Sequence, residues 1–294
     1  MHKQRRRALA TACLAVALAA LGLAGQAQAK LTGNYTRFAQ CPYTNLAVIK
    51  CIYSVTNSGE VVLGNKKVPI EKQVVLQGGF GEEVEEVSPF FAATNGITLS
   101  KAPQNVPGGL AGIVPEASSP PLVKALIKFF FENSLTGLTS TLELAKPATE
   151  IRINENALAG EFGTALKMPV KVHLENPFLG KNCFIGSSSS PIIWNLTTGA
   201  TSPPAPNTSI SGAVGFFEFL EEGRILEMKN NKLVDNAWSA PSATGCGGIL
   251  AFLVNPIVNA QLGSTTAGHN TAILNNTISV ASSAALRKNN AENP

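Results

Sequence analysis

Apolar and polar positions alternate in short runs over most of the chain, and the runs end at Gly, Pro, Asn or Ser. Lys167–Glu175 shows the pattern most cleanly. Met168, Val170, Val172 and Leu174 fall on one side of an extended segment, and Lys171, His173 and Glu175 on the other. Ile52–Thr56, Glu60–Leu63 and Val68–Leu76 read as further strands, separated by turns at Asn57-Ser58-Gly59 and Gly64-Asn65. Ile225–Met228 and Lys232–Asp235 flank Asn230-Asn231 and predict a hairpin. One more strand is expected over residues 270–280.

Two segments carry helical spacing instead. Ser119 and Pro120-Pro121 suit a helix start, after which Leu122, Val123, Leu126, Ile127, Phe130 and Phe131 recur on one face. Phe129, Phe130 and Phe131 are therefore expected in the core, with Lys124 and Lys128 on the outer side; a membrane wedge is the alternative. Ile249–Leu262 is the second helix, with a kink or restart at Pro256. The last residues, 287–294, are polar and are expected to be disordered. The fold class that follows is mainly β, with α+β at the margin. It consists of antiparallel, sandwich-like sheets with one or two packed helices.

The two halves echo each other. Cys51-Ile-Tyr-Ser is similar to Cys183-Phe-Ile-Gly, and Gly108-Gly-Leu-Ala-Gly-Ile-Val-Pro115 to the Gly247-Gly248 segment that ends at Pro256. Pseudo-repeats over 41–146 and 173–284, within one β-rich region from 30 to 286, would account for this. Chance recurrence in a Gly- and Pro-rich β protein is the plainer alternative.

Residues 1–29 have the layout of a secretory leader. A basic stretch from Lys3 to Arg7 precedes an apolar run, and Ala27-Gln28-Ala29 fits cleavage between Ala29 and Lys30. Four cysteines follow, Cys41, Cys51, Cys183 and Cys246. An even number in an exported chain implies two disulfides, with three connectivities open. Cys41–Cys51 with Cys183–Cys246 is favoured, because the first two lie close together between turn residues. The location expected is outside the cell, with no stable membrane span once the leader is removed.

Charge narrows the partners. The chain is 45% hydrophobic and only 14% charged, so it can build a core and is not a disordered polyelectrolyte. Without Lys3, Arg5, Arg6 and Arg7 it holds 19 basic and 19 acidic residues. A neutral chain without a basic patch argues against electrostatic binding to nucleic acid or anionic lipid.

The candidate chemistry is sparse. His173, His269 and Asp235 could be assembled with a serine into a hydrolytic triad. His173, however, lies on the polar face of its strand, His269 in a flexible-looking loop and Asp235 at a strand end. Glu82, Glu83, Glu85 and Glu86, and the pair Glu221-Glu222, read as solvated edge charges rather than paired catalytic carboxylates or calcium ligands. Trp194 and Trp238 lie near strand ends, where an indole could stack on sugar but more often is half-buried. No catalytic residue, metal ligand or cofactor site is assigned.

Several stretches resemble a family of bacterial secreted proteins. They include Phe38-Ala-Gln-Cys-Pro42, Leu76-Gln-Gly-Gly79, Asn176-Pro-Phe-Leu-Gly180, Leu233-Val-Asp-Asn236 and Cys246-Gly-Gly248. The resemblance implies export and a shared fold, and brings no activity, cofactor or site residue. The function expected is a non-enzymatic interaction or structural module at or beyond the cell surface, contacting envelope glycan or protein. A secreted hydrolase of envelope polymers and a membrane-active protein are the alternatives.

Overall fold

The computed structural model describes residues 30–85, 87–132 and 136–293; the expected leader lies outside them. The chain enters its sheet through β1 (Lys50–Leu63), β2 (Lys66–Pro69), β3 (Val74–Phe80), β4 (Ser88–Ala92) and β5 (Gln104–Asn105). Helix α1 (Pro121–Glu132) follows, then β6 (Thr139–Leu144), β7 (Arg152–Ile153), α2 (Glu155–Gly160), β8 (Leu166–Glu175), β9 (Phe184–Ile185) and β10 (Ile192–Leu196). The last part holds β11 (Phe216–Leu220), β12 (Ile225–Asp235), β13 (Ala243–Thr244), α3 (Ala251–Leu262), β14 (Asn270–Ser282) and α4 (Ser283–Glu292). Among the described residues the 14 strands form one antiparallel sheet, in agreement with the mainly β class read from the sequence.

That sheet is folded over into two lobes. In the first, β1 lies between β14 and β3, and β12 and β11 continue beyond β14. In the second, β8 pairs with β6, β7, β9 and β10. Strand β4 joins the lobes along one side, pairing with both β3 and β7. Along the other side, Thr197 and Val234 exchange backbone hydrogen bonds of 2.9 Å between the end of β10 and β12. The inward faces of the two lobes enclose the main core, in which Phe80, Phe90, Ile153, Val170, Trp194 and Leu196 are almost fully buried. A second, smaller core lies around Tyr35, Phe38, Val48, Ile225 and Leu286.

Two expected turns are corrected. Asn57-Ser58-Gly59 and Asn230-Asn231 do not reverse the chain; each lies within a continuous strand. The register of β1 against β14 slips between Thr56 and Ser58, and that of β12 against β14 slips between Met228 and Asn231. Asn230 takes a positive φ of 55°. These are bulges, and both stand against the same part of β14, around Asn275–Ile278. Because β14 supplies a partner along its whole length, turn-forming residues beside it bend the strand instead of ending it.

The tail is also corrected. Residues 283–292 form α4, capped by Ser282, whose hydroxyl accepts from the Ala285 N–H at 3.2 Å. Its main apolar anchor is Leu286, fully buried, with Ala285 packed on the same small core. Arg287 Nη1 donates to the Tyr43 carbonyl at 2.6 Å, and Asn289 Oδ1 accepts from Thr32 N at 2.9 Å.

The disulfides form as expected, Cys41–Cys51 and Cys183–Cys246. The echoed Gly-Gly pairs share a local conformation. Gly108 and Gly247 have φ values of 77° and 83°, and each opens a short 3-10 turn, Gly109–Ala111 or Gly248–Leu250. An apolar helix follows each turn, α1 after the loop 112–120 and α3 immediately.

Candidate functional site

A cavity of about 290 Å³ lies between the two lobes. Strand alternation builds its walls. Val61, Leu63 and Leu76 reach in from the first lobe, and Leu142, Met168 and Val172 from the second. Val61, Leu142 and Val172 stay half-buried despite their inward positions, because they look into this space rather than against a neighbour. One end is bordered by α3, through Val254, Val258 and the exposed Ile257, and by Leu110 of the 3-10 turn.

Helix α3 is held there by two asparagines one helical turn apart. Asn255 Oδ1 accepts from Cys246 N at 2.9 Å. Asn259 bonds both backbone groups of Ala243, at 2.7 and 3.1 Å. The face of α3 opposite the cavity is unpartnered: Phe252 and Leu253 are exposed, as is Ile249 just before the helix.

Several polar groups in the wall are already satisfied. Thr56 Oγ1 donates to Asn276 Oδ1 at 2.7 Å, and Asn276 Nδ2 donates to the Leu274 carbonyl at 3.0 Å. Gln104 is used up by the backbone of Glu71, Lys72 and Ala102. Such a wall accepts hydrocarbon and gives a polar ligand few partners.

Among the described residues, Lys66 is the only charged one lining the cavity. It lies just beyond the β1–β2 turn, and its Nζ donates to Gln261 Oε1 of α3 at 3.3 Å. Burial holds its pKa below the ordinary lysine value.

The residues singled out in the sequence do not converge. His173 is half-buried on the outer face of β8, stacked on Phe184 with ring centroids 4.3 Å apart; its Nε2 donates to the Lys181 carbonyl at 3.0 Å. Glu143 stands 4.0 Å from His173 and is paired with Lys101 and Lys171. Burial alone would raise the Glu143 pKa, but the two ammonium groups outweigh it and hold it low. His269 contacts Thr266 at 3.2 Å. Asp235 is buried at the end of β12, where its carboxylate accepts from Asn195 N at 2.6 Å and Ala237 N at 2.9 Å. Burial pushes its pKa up, against the pull of those two bonds. Each group is thus engaged in a separate local set, and neither histidine meets Asp235.

Glu82, Glu83 and Glu85 are exposed, and Glu86 lies outside the described residues. Glu221 and Glu222 form the turn between β11 and β12, with Glu221 Oε1 accepting from Asn34 Nδ2 at 2.9 Å. Trp194 and Trp238 are buried, at 1% and 4% exposure, so neither offers a face to a sugar at the surface. The expectation of a core helix at Phe129–Phe131 is corrected. Phe129 and Phe130 are 65% and 62% exposed, because nothing among the described residues covers that face of α1; the Phe131 side chain lies outside the description. Among the described residues, no group of three His, Cys, Asp or Glu could hold a metal ion, and no helix is long and apolar enough to cross a membrane.

Sequence reasoning missed the cavity and Lys66. Inward positions that line a cavity have the same alternation as positions that pack a core, so no pattern distinguishes them. No family model, curated protein or solved structure matches the chain.

Proposed function

We propose that this protein is an exported, non-enzymatic binding module whose ligand carries a hydrocarbon chain, held in the cavity between the two lobes. The observation that carries this reading is the cavity. Its wall is almost wholly apolar, and a hydrocarbon chain seated there would remove that surface from water and supply the contacts the inward side chains lack. Cavities of about 150 Å³ already bind benzene, so this one has room for a longer chain. Export is supported by the leader-like residues 1–29 and by two disulfides, which persist in oxidising surroundings. The hydrolase alternative lacks support, since His173, His269 and Asp235 are each bound elsewhere.

Titration with cis-parinaric acid, whose polyene fluoresces in an apolar site, tests the reading. Saturable binding is expected, and Val172→Trp, which fills the cavity from β8, should weaken it about tenfold or more. Leu142→Trp is a second filling variant, in case the first does not fold. Absence of saturable binding, or binding indifferent to both variants, overturns the proposal.

A second reading concerns where the ligand comes from. Large apolar side chains are exposed at α3, which lines the cavity, and on α1, which contacts the 3-10 turn carrying Leu110: Ile249, Phe252 and Leu253 at α3, and Leu122, Phe129 and Phe130 beside Lys124 and Lys128 on α1. From Asn236 to Leu286 the chain contains no Asp, Glu, Lys or Arg. We infer that these two helical arms rest on a phospholipid surface and that the hydrocarbon chain passes between it and the cavity. Insertion of apolar side chains, with Lys124 and Lys128 facing zwitterionic head groups of no net charge, gives salt-insensitive binding. The protein should therefore float with phosphatidylcholine vesicles equally at low and high salt, and Phe130→Ser with Phe252→Ser should abolish this while leaving parinaric acid binding intact. Failure to float, or an arm-dependent dimer in sedimentation without vesicle binding, overturns it.

A further inference from the structure

Resting on the cavity reading above, we infer that Lys66 receives the head group of the ligand, and that the site therefore takes a single-chain lipid anion: chain inside, carboxylate or phosphate at the rim. Three elements meet at this lysine. It belongs to the β1–β2 hairpin, paired with Leu63; it bonds Gln261 on α3; and a Cβ on Gly112, just after the 3-10 turn, would lie 2.4 Å from its Nζ. The ammonium thus lies where hairpin, helix and turn meet at the rim of the cavity.

An ammonium has three donors, and here it makes one hydrogen bond, to a neutral amide oxygen. It forms no ion pair among the described residues, whereas the neighbouring Lys67 is paired with Glu60 at 2.5 Å. Solvent reaches this ammonium, and an anion at the rim could take the place of that water. Donors remain for that anion, and a charge-assisted bond is stronger than the neutral one to Gln261.

The test compares two probes with one chain, cis-parinaric acid and the corresponding alcohol, on wild type, Lys66→Met and Lys66→Arg, with thermal unfolding to confirm that all three fold. Wild type should bind the acid about tenfold more tightly than the alcohol. Lys66→Met should erase that preference by weakening the acid alone, and Lys66→Arg should keep it. Competition by palmitate and by a monoacylglycerol phosphate identifies which head group is preferred; displacement by neither overturns the assignment. Equal affinities of wild type for acid and alcohol, or equal losses of both in Lys66→Met, also overturn it and leave the cavity reading standing. If neither probe binds wild type, the cavity reading fails first and this assignment with it.

Discussion

Asn270→Asp is expected to destabilise the fold by about 3–5 kcal/mol at neutral pH, out of proportion to a change of one atom. Asn270 is fully buried at the start of β14. Its Nδ2 donates to the carbonyls of Trp238, Thr265 and Thr266, all at 2.9 Å, and its Oδ1 accepts from Gly64 N at 3.0 Å. One amide therefore ties together the loop after α3, the segment after β12 and the β1–β2 turn that leads to Lys66. Aspartate has the same shape but no donor, and would place a negative charge against three carbonyl oxygens. Asn270→Ala removes the donor without adding charge, and should cost less, about 1–3 kcal/mol for the groups left unpaired. The carboxyl of the aspartate variant would be pushed above its unfolded value, so the native state would bind the proton more tightly. Its deficit should accordingly shrink as pH falls through that raised pKa, and remain in full above it. Urea unfolding at neutral and mildly acidic pH reads both effects. A variant within about 1 kcal/mol of wild type at neutral pH, or one whose deficit grows on acidification, would show that this amide does not join the three segments.

How much of this was legible in the sequence depended on what each pattern measures. Alternation over Lys167–Glu175 reports which side chains share a face, and β8 follows it: Met168, Val170 and Leu174 are buried, while Lys171 and His173 lie on the outer face with Glu143. Turn signals were less faithful. Asn, Ser and Gly tolerate the backbone of a bulge as readily as that of a turn, and only the presence of β14 alongside decided between them. Helical spacing found α1 and its apolar face correctly. It could not tell whether another element covers that face, so Phe129 and Phe130 were placed in a core they do not enter. The tail was misread for the converse reason. Ten residues with one strong apolar anchor look soluble, and Leu286 suffices to dock them because Tyr35, Phe38 and Val48 form a ready pocket. Lys66 looked like one more lysine, since its lack of a carboxylate partner is a property of its neighbours and not of its own segment.

The two disulfides should be separable by their effects. In the chain-entropy account, a bridge across 63 residues contributes about 4 kcal/mol and one across 10 residues about 3 kcal/mol. Cys183→Ala with Cys246→Ala should therefore be the less stable double variant in urea. Their effects on binding should differ more than their stabilities. Cys41–Cys51 belongs to the smaller core around Phe38 and Leu286, which contributes nothing to the cavity wall. Cys246 stands directly before the Gly247-Gly248 turn that launches α3, and its N–H is one of the bonds that hold Asn255. Removing that bridge loosens the root of the helix that borders the cavity, so parinaric acid affinity should fall even where the variant is fully folded. Removing Cys41–Cys51 should lower the unfolding midpoint and leave affinity unchanged under the same conditions. If both variants lose affinity in proportion to stability, α3 is held by the packing of the whole fold. A loss confined to the Cys183–Cys246 variant places the control of the cavity in the short segment from Cys246 to Asn259.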